Sequence, residues 1–557
     1  MDNIRVFLWA GFALLLWMNF QAWQKYFPPA PPPVPVQAGT PRDTLPSLPD
    51  APDLATGLPV LPEMSDATDS PDIAVAGVAR TVTRRMIRVR TDVFELEIDP
   101  RGGDLHSARL LSYPLRKDEP DVPVTLLSAE SDDLFIFRTG LRALDEAPEA
   151  NHLTKFTAER DEYVLAPGAD ELIVRLSWAG EDGISAEKIY RLRRGHYGIG
   201  LEQRVSNSGQ TPYRAVSYLQ LLRRHNPPER SMFDVDSYSF MGPVIYDGEK
   251  YEKLDPDDLS EEPFAQTITG GWFASIQHHF LVAAVPSSDT PANYQAFIDG
   301  DTYVLSAIGV VPQTIAPNET FGFSAELFVG PKIQTQLDET ADGLALTVDY
   351  GIFTMLSQPL FWLLQKIYNL LGNWGWAIIT VTILIKLAFY KLTEASGKSM
   401  AKMRKLQPRL KSLQERYKDD REALSKAMMD LYKREKVNPA AGCLPMLIQI
   451  PFFMAFYWVL LESVEMRQAP FMLWITDLST RDPWFILPVL MGAAMYFQQK
   501  LNPAPPDPMQ AKVMQFLPIM FTGMFAFFPA GLVLYWLTNS ILSMAQQWNI
   551  NRVLGAN

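Results

Sequence analysis

Residues 378–390 read IITVTILIKLAFY, an apolar run holding one fixed charge, Lys386. Placing a lysine at the centre of a membrane helix costs about 2.5–3.5 kcal/mol on insertion scales, so such a residue usually has a task. Thr382 lies one turn before Lys386 and Tyr390 one turn after, which puts three polar tips on one helix face. The simpler reading lets Lys386 snorkel toward the water boundary at Lys391, about 7.5 Å further along the helix. A second stripe argues for more than snorkelling. Tyr535, Asn539, Ser543 and Gln546 recur along one face of an otherwise apolar helix, and Gln449, Gln499 and Thr522 place polar groups in three further apolar runs. Such groups are also ordinary interhelical glue, worth up to about 2 kcal/mol each. Glue, however, is met by partners, and no Asp or Glu stands at mid-depth to neutralise Lys386. The expected chemistry is therefore solvation and attraction rather than bond-making: a water-containing groove with a positive floor.

The chain has 557 residues and a net charge of -13, too long for one domain and too acidic for a general nucleic-acid binder. Cys443 is the only cysteine, so no intrachain disulfide is possible. Residues 6–24 carry no charge and lie between Arg5 and Lys25. This run is long enough to cross a bilayer and longer than a signal-peptide core, so residues 4–24 are expected to form an uncleaved signal anchor with its N-terminus in the cytoplasm. The proline- and acid-rich stretch 25–80 reads as a spacer.

Over residues 81–345 the apolar period changes to two, in short runs such as MIRVRTDVFELEID and FGFSAELFVG separated by Gly, Pro, Asn and Asp turns. That pattern implies a large all-β domain, sandwich or barrel-like. His278 and His279 are adjacent, and neighbours on a strand point to opposite faces, so they are not expected to share a metal. No metal-ligand spacing and no nucleophile motif appears, and no cofactor is expected.

Residues 350–372 have apolar positions at helical spacing and read as an amphipathic helix lying in the membrane interface. Five apolar spans are then expected, at 374–392, 444–461, 484–497, 513–528 and 532–548, making six with the anchor. Within the 374–548 core, residues 394–436 read as a helical hairpin broken by KDD at 418–420, with Asp419 or Asp420 as an N-cap. Residues 391–436 hold twice as many Lys and Arg as Asp and Glu, which marks a cytoplasmic loop. Counting from this loop and from the anchor gives the same topology: both termini inside, the β-domain outside. Met400, Met428 and Met429 with Lys402, Arg404 and Lys405 give the hairpin an adaptable apolar surface framed by cations, fit either for docking or simply for solvation.

The junction VNPAAGCLPMLIQIP at 437–451 closely resembles the YidC membrane-protein insertase family. SMAKMRKLQP (399–408), EMRQAPF (465–471), DPMQ (507–510) and FPAGLVLYWLTNSILSMAQQ (528–547) match the same family in the same order. The anchor, linker and β-domain look like its Gram-negative form, whose periplasmic domain is a β-supersandwich. The resemblance implies an inner-membrane insertase and chaperone that takes nascent membrane proteins into a hydrophilic, cytoplasm-facing groove. It releases them into the phospholipid bilayer, alone or beside the Sec translocon, with no nucleotide or metal and no sequence recognition of nucleic acid. The family's groove arginine corresponds to Lys386, which keeps the charge and loses the planar fork. Its aromatic pair in the last span corresponds to Tyr535 and Trp536. Thr382, Gln449, Asn539 and Ser543 complete the expected groove. Only Arg552 follows Gln547, where relatives often carry a basic tail, so ribosome docking is expected at the hairpin. Two alternatives share some of these features: a polytopic transporter or channel, and a carbohydrate enzyme tethered to the membrane.

Overall fold

The computed structural model describes residues 85–144, 147–226, 239–417, 420–435, 444–501 and 508–553. The expected anchor, the linker and Cys443 lie outside these residues. The chain divides into two compact units, one of strands up to Thr347 and one of helices from Val348 onward.

The first unit consists of two large sheets. One runs Phe264–Ile268, Ala292–Asp299, Thr302–Gly309, Tyr213–Arg224, Phe135–Ala143, Asp104–Arg116, Phe94–Asp99, Ile87–Arg90 and Glu162–Val164, neighbour to neighbour. The other runs Tyr251–Lys253, Met241–Tyr246, Trp272–Gln277, Phe280–Pro286, Glu319–Pro331, Gly198–Asn207, Ile184–Arg193, Glu171–Ala179 and Thr157–Ala158. Burial follows the alternation in the sequence: in Ile87–Arg90 the isoleucine and valine are buried and both arginines exposed. The inner faces meet in a core that includes Phe94, Phe137, Tyr190, Trp272 and Phe328. A buried cation crosses it. The Lys188 ammonium donates to the carbonyls of Gly102 and, at 2.5 Å, Thr139, both on the opposite sheet side, while the Tyr190 hydroxyl donates to the Gly103 carbonyl at 2.6 Å. Burial pushes the Asp104 carboxyl up to about 7 and draws Lys188 down to about 8.

At His278 the structure departs from the strand reading. Residues 278 and 279 form the turn between Trp272–Gln277 and Phe280–Pro286, with φ +49° at His278. The turn cancels strand alternation, and the two imidazoles stack with centroids 3.7 Å apart. Among the described residues no group of three or more potential ligands could hold a metal.

Two short helices, α1 (Pro256–Glu261) and α2 (Gln334–Thr340), belong to this unit. The helical unit holds α3 (Thr354–Leu371), α4 (Trp374–Ala388), α5 (Tyr390–Arg416), α6 (Arg421–Arg434), α7 (Leu444–Glu462), α8 (Ile486–Leu501), α9 (Pro508–Phe525) and α10 (Ala530–Val553). Helix α3 buries Leu360, Phe361 and Leu364 and leaves Met355, Trp362 and Leu370 exposed. It packs on α4 and α7, where the Ser357 hydroxyl donates to the Ala455 carbonyl at 3.2 Å. Asn373 starts α4 by accepting from the Trp376 amide at 3.1 Å.

The run expected as one span at 374–392 is broken. Helix α4 ends at Ala388 and α5 departs from it at 65°. Among the described residues no single helix is long and apolar enough to cross a membrane; the bent α4–α5 pair passes that test together. Helices α8 and α9 have 16 and 18 residues, about 24 and 27 Å of rise. Helix α5 runs unbroken for 27 residues, longer than a short hairpin arm. Asp420 caps α6, accepting from the amides of Glu422 and Ala423, and Arg409 on α5 pairs with Glu435 just beyond α6 at 2.6 Å. The root of α5 is pressed onto α10: a Cβ on Gly397 would lie 2.6 Å from Ile550 Cδ1, and Ala401 is buried against the same isoleucine.

Candidate functional site

Helices α4, α7 and α10, with the first turn of α5, line an open cavity of about 490 Å³ including its mouth. Thr382, Lys386, Gln449, Tyr535 and Asn539 all line it, together with Ile385, Phe389, Leu392, Thr393 and Phe452. The sequence stripes from α4 and α10 thus meet at one place.

Lys386 is half-buried, and its ammonium donates to the Ser543 hydroxyl at 2.7 Å. That hydroxyl in turn donates to the Asn539 carbonyl one turn back, at 2.8 Å. With its hydrogen committed to the backbone, Ser543 offers only lone pairs to the cation. Among the described residues no carboxylate forms an ion pair with Lys386. The Thr382 hydroxyl donates to the Ile378 carbonyl at 2.7 Å, so it presents an acceptor to the cavity rather than a free donor. Gln449 hydrogen-bonds the Tyr535 hydroxyl, while the Tyr535 ring stacks on Phe456 with centroids 4.6 Å apart.

Of the expected groove residues, Ser543 is not among those lining the cavity and meets it only through Lys386; Trp536, and Tyr390 of the α4 stripe, stand elsewhere. Trp536 does not line the cavity. One residue on from Tyr535 is about 100° around the helix, and this turns its indole into a cluster with Phe453 at 4.8 Å and Phe525 at 5.3 Å. Tyr390 lies beyond the bend at Phe389, which removes it from the Thr382–Lys386 stripe; its carbonyl instead accepts from Gln546 Nε2 at 3.3 Å. Thr522 donates to Pro518 within α9 and faces Gly492. Conversely, Thr393 and the apolar walls Phe389 and Phe452 were missed by the sequence reading. Leucines and phenylalanines in an apolar run carry no signal of their own, and Thr393 reaches the cavity only because the helix bends.

None of the hairpin residues whose side chains are described lines the cavity. Lys402, Lys405 and Met429 are exposed and Met428 is half-buried; the side chains of Met400 and Arg404 lie outside the described residues. At the other end of α7 the Glu465 carboxyl is pushed up to about 7 by burial, and its Oε2 has no hydrogen-bond partner.

The family model of the 60Kd inner membrane protein matches residues 366–556, and that of the YidC periplasmic domain matches residues 86–363. The membrane protein insertase YidC of Thioalkalivibrio sulfidiphilus is 46% identical over 99% of this chain and 98% of its own length. The insertase YidC of Nitrosococcus oceani is 45% identical over 99% of each. A crystal structure of an active YidC insertase with its first transmembrane domain resolved covers 83% of this chain and 92% of that one, at 20% identity and a TM-score of 0.38. The sequence relatives, matched from end to end, carry the assignment: this chain belongs to the YidC family of membrane protein insertases, inner-membrane proteins with a periplasmic β-domain.

Proposed function

We propose that the cavity between α4, α7 and α10 is the groove in which this insertase receives its clients. The polar or acidic leading part of a nascent membrane protein enters from the cytoplasm, drawn by Lys386 and solvated by Thr382, Gln449, Tyr535, Asn539 and Ser543. That lowers the desolvation cost of carrying it partway across. The apolar part then passes into lipid beside α4 and α10, gaining about 0.8 kcal/mol per CH₂ buried. Trp536 stands outside the groove, in its cluster with Phe453 and Phe525.

The reading places six spans in the inner membrane, with both termini cytoplasmic and α3 in the interface. It assigns the α5–α6 hairpin to ribosome contact through Met400, Lys402, Arg404, Lys405, Met428 and Met429, and it allows insertion alone or with the Sec translocon. The observation that carries it is a lysine held by a serine across two helices, on a largely apolar cavity into which Thr382, Gln449, Tyr535 and Asn539 bring polar groups, with no carboxylate paired to it among the described residues. Site-specific photocrosslinking from positions 382, 386 and 535 to a stalled nascent chain tests it. Adducts at all three positions, absent from a probe at exposed Val489, are expected. Their absence, together with solute flux through the reconstituted protein, would move the cavity to a transport role.

A further inference from the structure

Between α7 and α8 the chain runs through an irregular loop fixed from within by one carboxylate. Buried Asp482 accepts from Trp474 Nε1 at 3.0 Å, from the Trp484 amide at 3.1 Å and from the Leu487 amide at 2.7 Å. The loop is also tied to the start of α4. Asn373 Nδ2 donates to the Phe471 carbonyl at 3.0 Å, and Trp376 meets the Phe471 ring edge-on at 5.6 Å. On this frame Leu473 and Phe485 both stand at φ +56°, where bulky L residues are genuine outliers. Neither uses the unusual backbone to reach the core. Leu473 is 77% exposed and Phe485 42%, and Met472 and Trp484 beside them are exposed as well. Strain that persists to hold apolar side chains outward implies something outside that receives them.

We infer that this pad of Met472, Leu473, Trp484 and Phe485 is seated in lipid at the membrane–water boundary, as an anchor for the α7–α8 end of the helical unit. The apolar surface is continuous with lipid-facing chain: Trp484 and Phe485 lead directly into α8, whose Val489 and Leu490 are exposed. On its other side the pad follows Phe471, whose ring meets exposed Trp376. Tryptophan is favoured at that depth because its ring is apolar and its edge polar. Trp484 stacks on Trp474 with rings 10° from parallel, a flat and rigid face. Asp482 satisfies the Trp474 indole and the Trp484 and Leu487 amides from within, so these three donors are not stripped of water on immersion. The inference does not depend on how the cavity handles clients.

The test uses the full chain in a Cys443→Ala background, with single cysteines carrying an environment-sensitive fluorophore, reconstituted into phosphatidylcholine liposomes containing lipids brominated near the headgroup. Probes at Leu473→Cys and Trp484→Cys should lose fluorescence to the bromines as far as one at Val489→Cys. One at Asp170→Cys, exposed on the β unit, should not. Leu473 and Trp484 probes behaving like Asp170 would overturn the anchor. So would shielding from both bromolipid and an aqueous quencher, which would mark a protein seated there, and so would quenching at only one of the two sites. An unquenched Val489 probe would overturn the membrane placement of α8 along with the anchor.

Discussion

Removing the charge at position 386 separates electrostatics from architecture. A client carboxylate drawn to about 6 Å from the ammonium gains about 2.8 kcal/mol at an effective dielectric of about 20, and about 0.7 kcal/mol at that of bulk water. Lys386 is half-buried on the wall of an open cavity, so solvent screening discounts the upper figure. About 1–2 kcal/mol per acidic residue is the working range, a five- to thirtyfold effect on rate if felt in the transition state. Lys386→Met should therefore slow insertion of a client with an acidic translocated tail by about that factor and leave a neutral-tailed client unchanged. Lys386→Arg should retain most activity, because the charge remains. Lys386→Glu should fall below Met for acidic tails, because the sign reverses. The assay is protease protection of radiolabelled clients in proteoliposomes, with melting of each variant measured alongside. An equal slowing of neutral and acidic clients would make Lys386 a packing residue and refute the electrostatic argument.

Three further outcomes are expected. A Cβ at Gly492 would sit 1.9 Å from Thr522 Oγ1, so Gly492→Ala should lower the stability of the helical unit by about 1–3 kcal/mol, and adding Thr522→Ala should restore much of the loss in thermal melts. Burial raises the Glu465 carboxyl from its usual 4.5 to about 7, so its contribution to stability is full below about pH 4.5 and is lost as pH rises through about 7. Glu465→Gln should accordingly melt close to the parent in acid and above it in alkali; parallel melting curves across pH would refute this. Lys188→Met leaves two buried carbonyls without their donor and Asp104 with only the 4.0 Å pairing to Arg138, so the β unit should lose about 3–5 kcal/mol. The loss, followed by circular dichroism, should shrink at acid pH, where Asp104 is neutral.

Much of the β unit was legible because its strands are half-buried and therefore alternate, as in Gly198–Asn207, where every second side chain from Ile199 onward is buried. The turn at His278 was not, since nothing in QHHF distinguishes a two-residue reversal from continued strand. The meeting of Lys386 with Tyr535 and Asn539 was legible because helical spacing fixes which tips share a face. The break at Phe389 was not. No proline or glycine marks it, and the stripe runs through LAFYKL without interruption, so Tyr390 was placed one turn further along a helix that has already ended. Adjacency misled in the case of Trp536: a dipeptide reads as a pair, while a helix sends its two members to different neighbours. The loop strain at Leu473 and Phe485 was invisible because neither residue type advertises a left-handed backbone.

The contact between Gly397 and Ile550 divides the hairpin into a root and a tip with different tolerances. Any side chain larger than hydrogen at position 397 meets the Ile550 and Gln547 side-chain ends on the same helix that carries Ser543 and Asn539, and these ends must shift. The far end, around the Asp420 cap, touches no wall of the cavity. Residues added at that end lengthen the arm while the cavity stays as it was, so a graft or a longer reach belongs at the tip, and the root is the place where a designer should change nothing.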